Sequence, residues 1–175
     1  VLDDESIQAP AIEAVFTVDE EVGLDGAKLL DGSVLSSKYL INIDNEEEGA
    51  FIVGCAGGMR SGLKLPVSYT HMTGKSVKVT ITGLMGGHSG SEIDKKRANA
   101  NIVMGRFLYA LKQDADYEII SYEGGQKDNA ITREAVCEIL VAGEAVEAVK
   151  ASAAKAEKGL REEYAGTDGN ITVQI

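Results

Sequence analysis

From residue 76 onward, polar and apolar positions fall into two clean periods. In SVKVTITG the residues alternate, and Val77, Val79 and Ile81 lie on one face, the signature of a strand with one side buried. Residues 98 to 112 then change period: Ala100, Val103, Met104, Phe107, Leu108 and Leu111 recur at helical spacing and predict one apolar helix face. YEIISY and EAVCEILVA read as two further strands. A second helix is predicted over 145 to 165, with Val146, Val149, Ala153, Ala156, Leu160 and Tyr164 as its stripe and Gly166 as its C-terminal cap. NITVQI closes the series with Ile171, Val173 and Ile175 alternating. The order β-α-β-β-α-β is that of the ferredoxin-like split βαβ unit, and it predicts a four-stranded antiparallel sheet with both helices on one face.

The first part of the chain has a different pattern. AIEAVFTV, KYLINID and AFIVG are short and continuously apolar, which suits strands covered on both faces, and VGLDGAKLLDGSVLS between the first two is long enough for a short helix. That is a partial α/β layer. The change of pattern falls at the glycines Gly54, Gly57, Gly58 and Gly62, where backbone rotation is sterically cheap and a hinge is expected. The fold class expected is therefore an α/β slice over residues 1–57 followed by an α+β ferredoxin-like domain over 58–175.

Three stretches carry candidate chemistry. VDEEVGLDG places Asp19, Glu20 and Glu21 directly after an apolar run. In a regular strand Glu20 and Glu21 would point to opposite faces. A sharp turn between Val18 and a helix near Leu24, eased by Gly23, lets both face the crevice at the strand ends. The plainer reading is an acidic first helical turn complementing the macrodipole. KYLINID also ends on a carboxylate, Asp44, followed by Glu46, Glu47 and Glu48, for which a solvated acidic loop is the plainer reading. Carboxylates gathered at two neighbouring strand ends repel unless a cation lies between them. GLMGGHSGSEI puts His88 among glycines that allow close approach of backbone to a ligand, but it fits neither GxGxxG nor the P-loop spacing, so a nucleotide site is discounted.

Composition narrows the partners. A formal net charge of -11 leaves no basic stripe for phosphates, so nucleic acid and anionic membrane are disfavoured. No apolar run reaches the roughly 20 residues of a membrane span, and the expected location is the cytoplasm. Cys55 and Cys137 both sit in apolar sequence and read as small buried hydrophobes.

Taken in order, TVDEEVGLDG, INIDNEEEG, GGHSGSEI and GGQKDNAITREA resemble the M20 family of co-catalytic zinc peptidases, and within it the aminoacyl-histidine (Xaa-His) dipeptidase branch. The resemblance runs from about Ala11 to about Val141 and implies metal-dependent hydrolysis of dipeptides. By it, Glu20 matches the general base that takes a proton from a metal-bridging water. Glu21 matches a ligand of one zinc, and Asp44 a ligand of the other. His88 matches the lid histidine that stabilises the oxyanion, and Asn129 a lid residue near the carboxylate end of the substrate. Two zinc ions are implied, with manganese or cobalt as substitutes, and a homodimer through the lid. Arg133 stays off this set: Thr132 stands where the family usually has proline, and a solvent-facing arginine is the simpler reading.

The chain also departs from the family. Its only histidines are His71 and His88, and His71, in a polar connection, reads as exposed rather than as a ligand. The early and late histidines and the bridging aspartate of such a site are not among these residues, so the chain reads as an internal piece that is inactive by itself. Two alternatives stand beside the dipeptidase: a non-catalytic ferredoxin-like binding or dimerisation module, and another M20 hydrolase such as an aminoacylase or desuccinylase.

Overall fold

The computed structural model describes residues 3–45, 47–55, 57 and 59–175. Glu46 and Gly58, named above in the acidic loop and the glycine cluster, lie outside the described residues. The chain divides into two compact units, Val1–Lys64 and Leu65–Ile175, so the division falls just past the glycine cluster.

In the second unit the strands are β1 (Lys75–Thr82), β2 (Gly87–His88), β3 (Tyr117–Gly124), β4 (Ala130–Ile131), β5 (Ala135–Val141) and β6 (Thr172–Gln174). Four of them form an antiparallel sheet in the order β3-β5-β1-β6. Strands β1 and β3 run the same way with β5 inserted between them, which is the split βαβ arrangement. The alternation read in the sequence becomes the buried face: Val77, Val79 and Ile81 of β1 pack beside Ala135, Cys137, Ile139 and Val141 of β5 and Val173 of β6. Against this one face lie α2 (Ala100–Leu111) and α3 (Val146–Glu163), which join the same core.

The stripe predicted for α2 is the stripe buried: Ala100, Val103, Met104, Phe107, Leu108 and Leu111. Its start is set by Asn99, whose side-chain oxygen accepts from the amides of Asn101 and Ile102. In α3 the buried residues are Val149, Ala153 and Leu160, flanked by half-buried Val146, Ala156 and Tyr164. The helix does not end on a glycine cap. Tyr164 closes it with backbone φ of -104°, and Gly166 is not among the glycines with positive φ. The amides of Thr167 and Asp168 both donate to the Tyr164 carbonyl, so a tight turn satisfies that end instead.

The first unit departs further from expectation. Its described residues contain α1 (Asp25–Leu29) and a single 3-10 turn (Gly32–Val34), and no strand. None of the three apolar runs forms a strand among the described residues, and Phe16, Ile43, Phe51 and Val53 are almost wholly exposed. A strand meant to be covered on both faces has no stable state without neighbours on each side, because its apolar surface and its ladder groups both go unsatisfied. What order there is comes from polar contacts. Glu13 accepts from the amides of Ser36 (3.1 Å) and Ser37 (2.7 Å) and from both hydroxyls, and the Ser37 hydroxyl and these amides hold its carboxyl down at about 2. Both cysteines are free: Cys137 is buried as expected, whereas Cys55 is exposed, as are Phe51, Ile52 and Val53 of the run before it.

Candidate functional site

The turn expected after Val18 is present. Asp19, Gly23 and Leu24 take positive φ of 58°, 130° and 62°, and the chain doubles back so that the Gly26 amide donates to the Val18 carbonyl at 3.0 Å. Glu20 and Glu21 sit in this turn, both exposed. Asp44 is exposed too, its amide held by the Asn42 side chain at 3.1 Å, and Glu47 and Glu48 are exposed as a solvated loop requires. His71 faces solvent.

In the second unit the glycine-rich stretch folds onto the DNAIT segment. Strand β2 pairs with β4, with Gly87 opposite Ile131 and His88 opposite Ala130, and the Ser89 amide donates to the Asn129 carbonyl at 2.8 Å. His88 and Asn129 are thus brought side by side, as exposed residues at the ends of two short strands that periodicity did not predict. Two-residue strands leave no period to read. Beside them an open groove of ≈ 550 Å³ is lined by Ser89, Asn99, Asn101, Lys127 and Thr132.

The imidazole of His88 has a defined orientation. Its Nδ1 accepts from the amides of Gly90 and Ser91, each at 3.1 Å. A ring nitrogen that accepts carries no hydrogen, so the proton of the neutral ring is on Nε2, which remains available as a donor. The loop itself is gripped from below. Glu92 accepts from the His88 amide at 2.9 Å and pairs with Lys95 (2.7 Å) and Arg97 (3.0 Å), while the Arg97 guanidinium also donates to the Gly86 carbonyl. Gly87 has to be glycine here: its φ is +139°, and a Cβ would run into the Arg97 guanidinium and the Glu92 carboxylate. Arg133 is exposed, its stem lying over Gly86.

The Lys95 ammonium and the His88 amide, with Arg97 behind them, hold the Glu92 carboxyl down at about 2 from an ordinary 4.5. A carboxyl depressed in the folded state stabilises the loop above its unfolded value and ceases to as pH falls through the folded one. Glu92 is therefore expected to keep this grip at pH 4 and to lose it as pH falls through about 2. The side-chain carboxyl chemical shift, followed through that range, checks this; a midpoint near 4.5 would mean that the grip is not formed.

Among the described residues no cluster of three or more His, Cys, Asp or Glu forms a metal-binding group. Glu21 and Asp44 supply single carboxylates, suitable as individual ligands but not a centre by themselves, since catalytic zinc takes about three protein ligands. The functional reading of the sequence passed over Asn99, Glu92, Arg97 and Asp168. A long polar stretch between a strand and a helix, SGSEIDKKRAN, was the available signal for the first three.

Residues 75–168 match the peptidase dimerisation domain of the M20 family. The chain belongs to that family. Over its whole length it is 38% identical to a cytosol non-specific dipeptidase of Escherichia coli (strain K12), of which it covers 36%. It superimposes on the crystal structure of aminoacylhistidine dipeptidase from Vibrio alginolyticus with a TM-score of 0.70 and 31% identity, over 90% of this chain and 33% of that one. The chain thus spans about a third of the length of these two relatives.

Proposed function

We propose that the full-length protein is a cytoplasmic dipeptidase of the Xaa-His type, in which residues 58–175 are part of a lid and residues 1–57 a slice of the catalytic domain. The observation that carries this reading is the pairing of β2 with β4. It sets His88, with its hydrogen on Nε2, beside Asn129 and an open polar groove. A dipeptide undergoing attack carries a developing oxyanion and a terminal carboxylate. His88 Nε2–H donates to the first and Asn129 lies near the second. Glu20 takes the proton of the attacking water, and Glu21 and Asp44 each provide one ligand to a pair of zinc ions whose other ligands come from residues outside this chain. Such ions, when bound, polarise the scissile carbonyl and acidify water; manganese or cobalt would serve in the same way.

The test is a substrate profile of the full-length protein with added zinc. Fastest turnover on Xaa-His dipeptides is the expected result. Faster turnover of N-acylated or N-succinylated amino acids would make it an aminoacylase or desuccinylase, and no hydrolysis would leave a binding module. The isolated 175-residue chain is expected to bind zinc weakly and to hydrolyse none of these, as calorimetry followed by an assay at saturating metal would show. Two tight sites in the isolated chain would overturn the assignment of ligands elsewhere.

The same unit supports a homodimer. At one end of the sheet two backbone groups at β6 are occupied: Glu157 accepts from the Val173 amide at 2.9 Å, and Arg161 donates at 2.7 Å to the carbonyl of Ile171, just before the strand. At the other end β3 is eight residues long, and Ile119 and Ile120 are exposed on it, as are Ile102 and Tyr109 on α2. An exposed edge with apolar residues invites pairing with a second copy. Ile120→Lys is expected to shift the full-length protein from dimer to monomer in sedimentation at micromolar concentration. An unchanged dimer would exclude the β3 edge.

A further inference from the structure

Asp168 is 1% exposed and has no place in the chemistry above. It sits in the turn after α3, where its amide donates to the Tyr164 carbonyl at 2.7 Å and its carbonyl accepts from Ile171 at 3.1 Å. Its carboxylate reaches away from that turn. One oxygen accepts from the Met85 amide at 2.7 Å and the other from the Ala98 amide at 2.9 Å. Those two amides mark the neck of the segment that leaves β1 and returns to α2, and His88 lies between them. The tip of the segment is poor in burial: Ser89, Gly90, Ser91 and Asp94 to Lys96 are all exposed. Little apolar contact is available to hold it, so its place relative to the sheet depends on polar contacts: the β2–β4 pairing, the Glu92 and Arg97 grip, and the neck. A carboxylate can accept separate hydrogen bonds on two oxygens, whereas the amide of Asn offers one acceptor and turns a donor toward the second N–H.

We propose that Asp168 is a positioning residue for His88, a clasp that closes the neck of the His88 loop and so sets where Nε2–H points. This rests on His88 being the oxyanion donor. The experiment is a double-mutant cycle in the full-length protein. Asp168→Asn is expected to lower kcat by about 10- to 100-fold, the cost of misplacing a reacting group by a fraction of an ångström to an ångström, with KM changed by less than about twofold. In a His88→Ala background the same substitution is expected to cost less than about twofold, because the group it positions is gone. A purely structural role would cost the same in both backgrounds, and that result overturns the clasp, as does an Asp168→Asn enzyme with unchanged kcat. If His88→Ala alone leaves kcat unchanged, it is the reading of His88 that fails, and the clasp with it. Amide exchange in the unaltered protein gives a further measurement that needs no variant. Met85 and Ala98 are expected to exchange as slowly as the amides of β1 while Asp94 to Lys96 exchange fast; fast exchange at Met85 or Ala98 overturns the proposal.

Discussion

Glu20→Ala in the full-length protein is expected to abolish dipeptide turnover, a fall of at least about 10²- to 10⁴-fold, while zinc content stays near that of the unaltered enzyme. Asp44→Ala is expected to do the reverse first, lowering zinc content and losing activity as a consequence. The contrast follows from two different jobs. A general base has to hold a free carboxylate one hydrogen bond from the water it deprotonates, whereas a ligand carboxylate is committed to the cation. The local structure permits the division, because positive φ at Asp19 and Leu24 and the return of Gly26 onto Val18 remove Glu20 and Glu21 from strand geometry. Metal analysis of the two purified variants beside their kcat values decides it. Equal loss of zinc in both would make Glu20 a ligand.

The second large effect is expected at His88. His88→Ala should reduce kcat by about 100-fold or more, the usual cost of removing one oxyanion donor, and leave KM little changed. The reason lies in the ring. With Nδ1 accepting from the Gly90 and Ser91 amides, turning the imidazole over would exchange two formed hydrogen bonds for water, so the ring is held with Nε2–H outward before charge develops. Steady-state kinetics on a good dipeptide substrate separates the outcomes. A change confined to KM would make His88 a substrate-binding residue and not an oxyanion donor.

Which parts were legible in advance depends on how each is held together. The helix stripe Ala100, Val103, Met104, Phe107, Leu108 and Leu111 and the β1 alternation Val77, Val79 and Ile81 were readable because one face of each element is buried, and burial of a single face imprints its own period on the residues. Six elements in that order leave few topologies, and the split βαβ sheet is the one formed. The runs around Phe16, Ile43 and Phe51 carried an equally apolar signal, yet no strand forms among the described residues there, because that signal states a need for partners on both faces and does not supply them. The residues of the candidate site were named by motif, but their arrangement was not. That His88 stands beside Asn129 comes from a two-residue pairing of β2 with β4, too short to leave a period. The tautomer of His88 comes from two backbone amides, and the neck of its loop from an aspartate about 70 residues downstream of the Ala98 amide it holds. Periodicity records which face of an element is buried; contacts between residues far apart in the chain exist only after the sheet and helices have assembled, and there the tertiary structure alone decides.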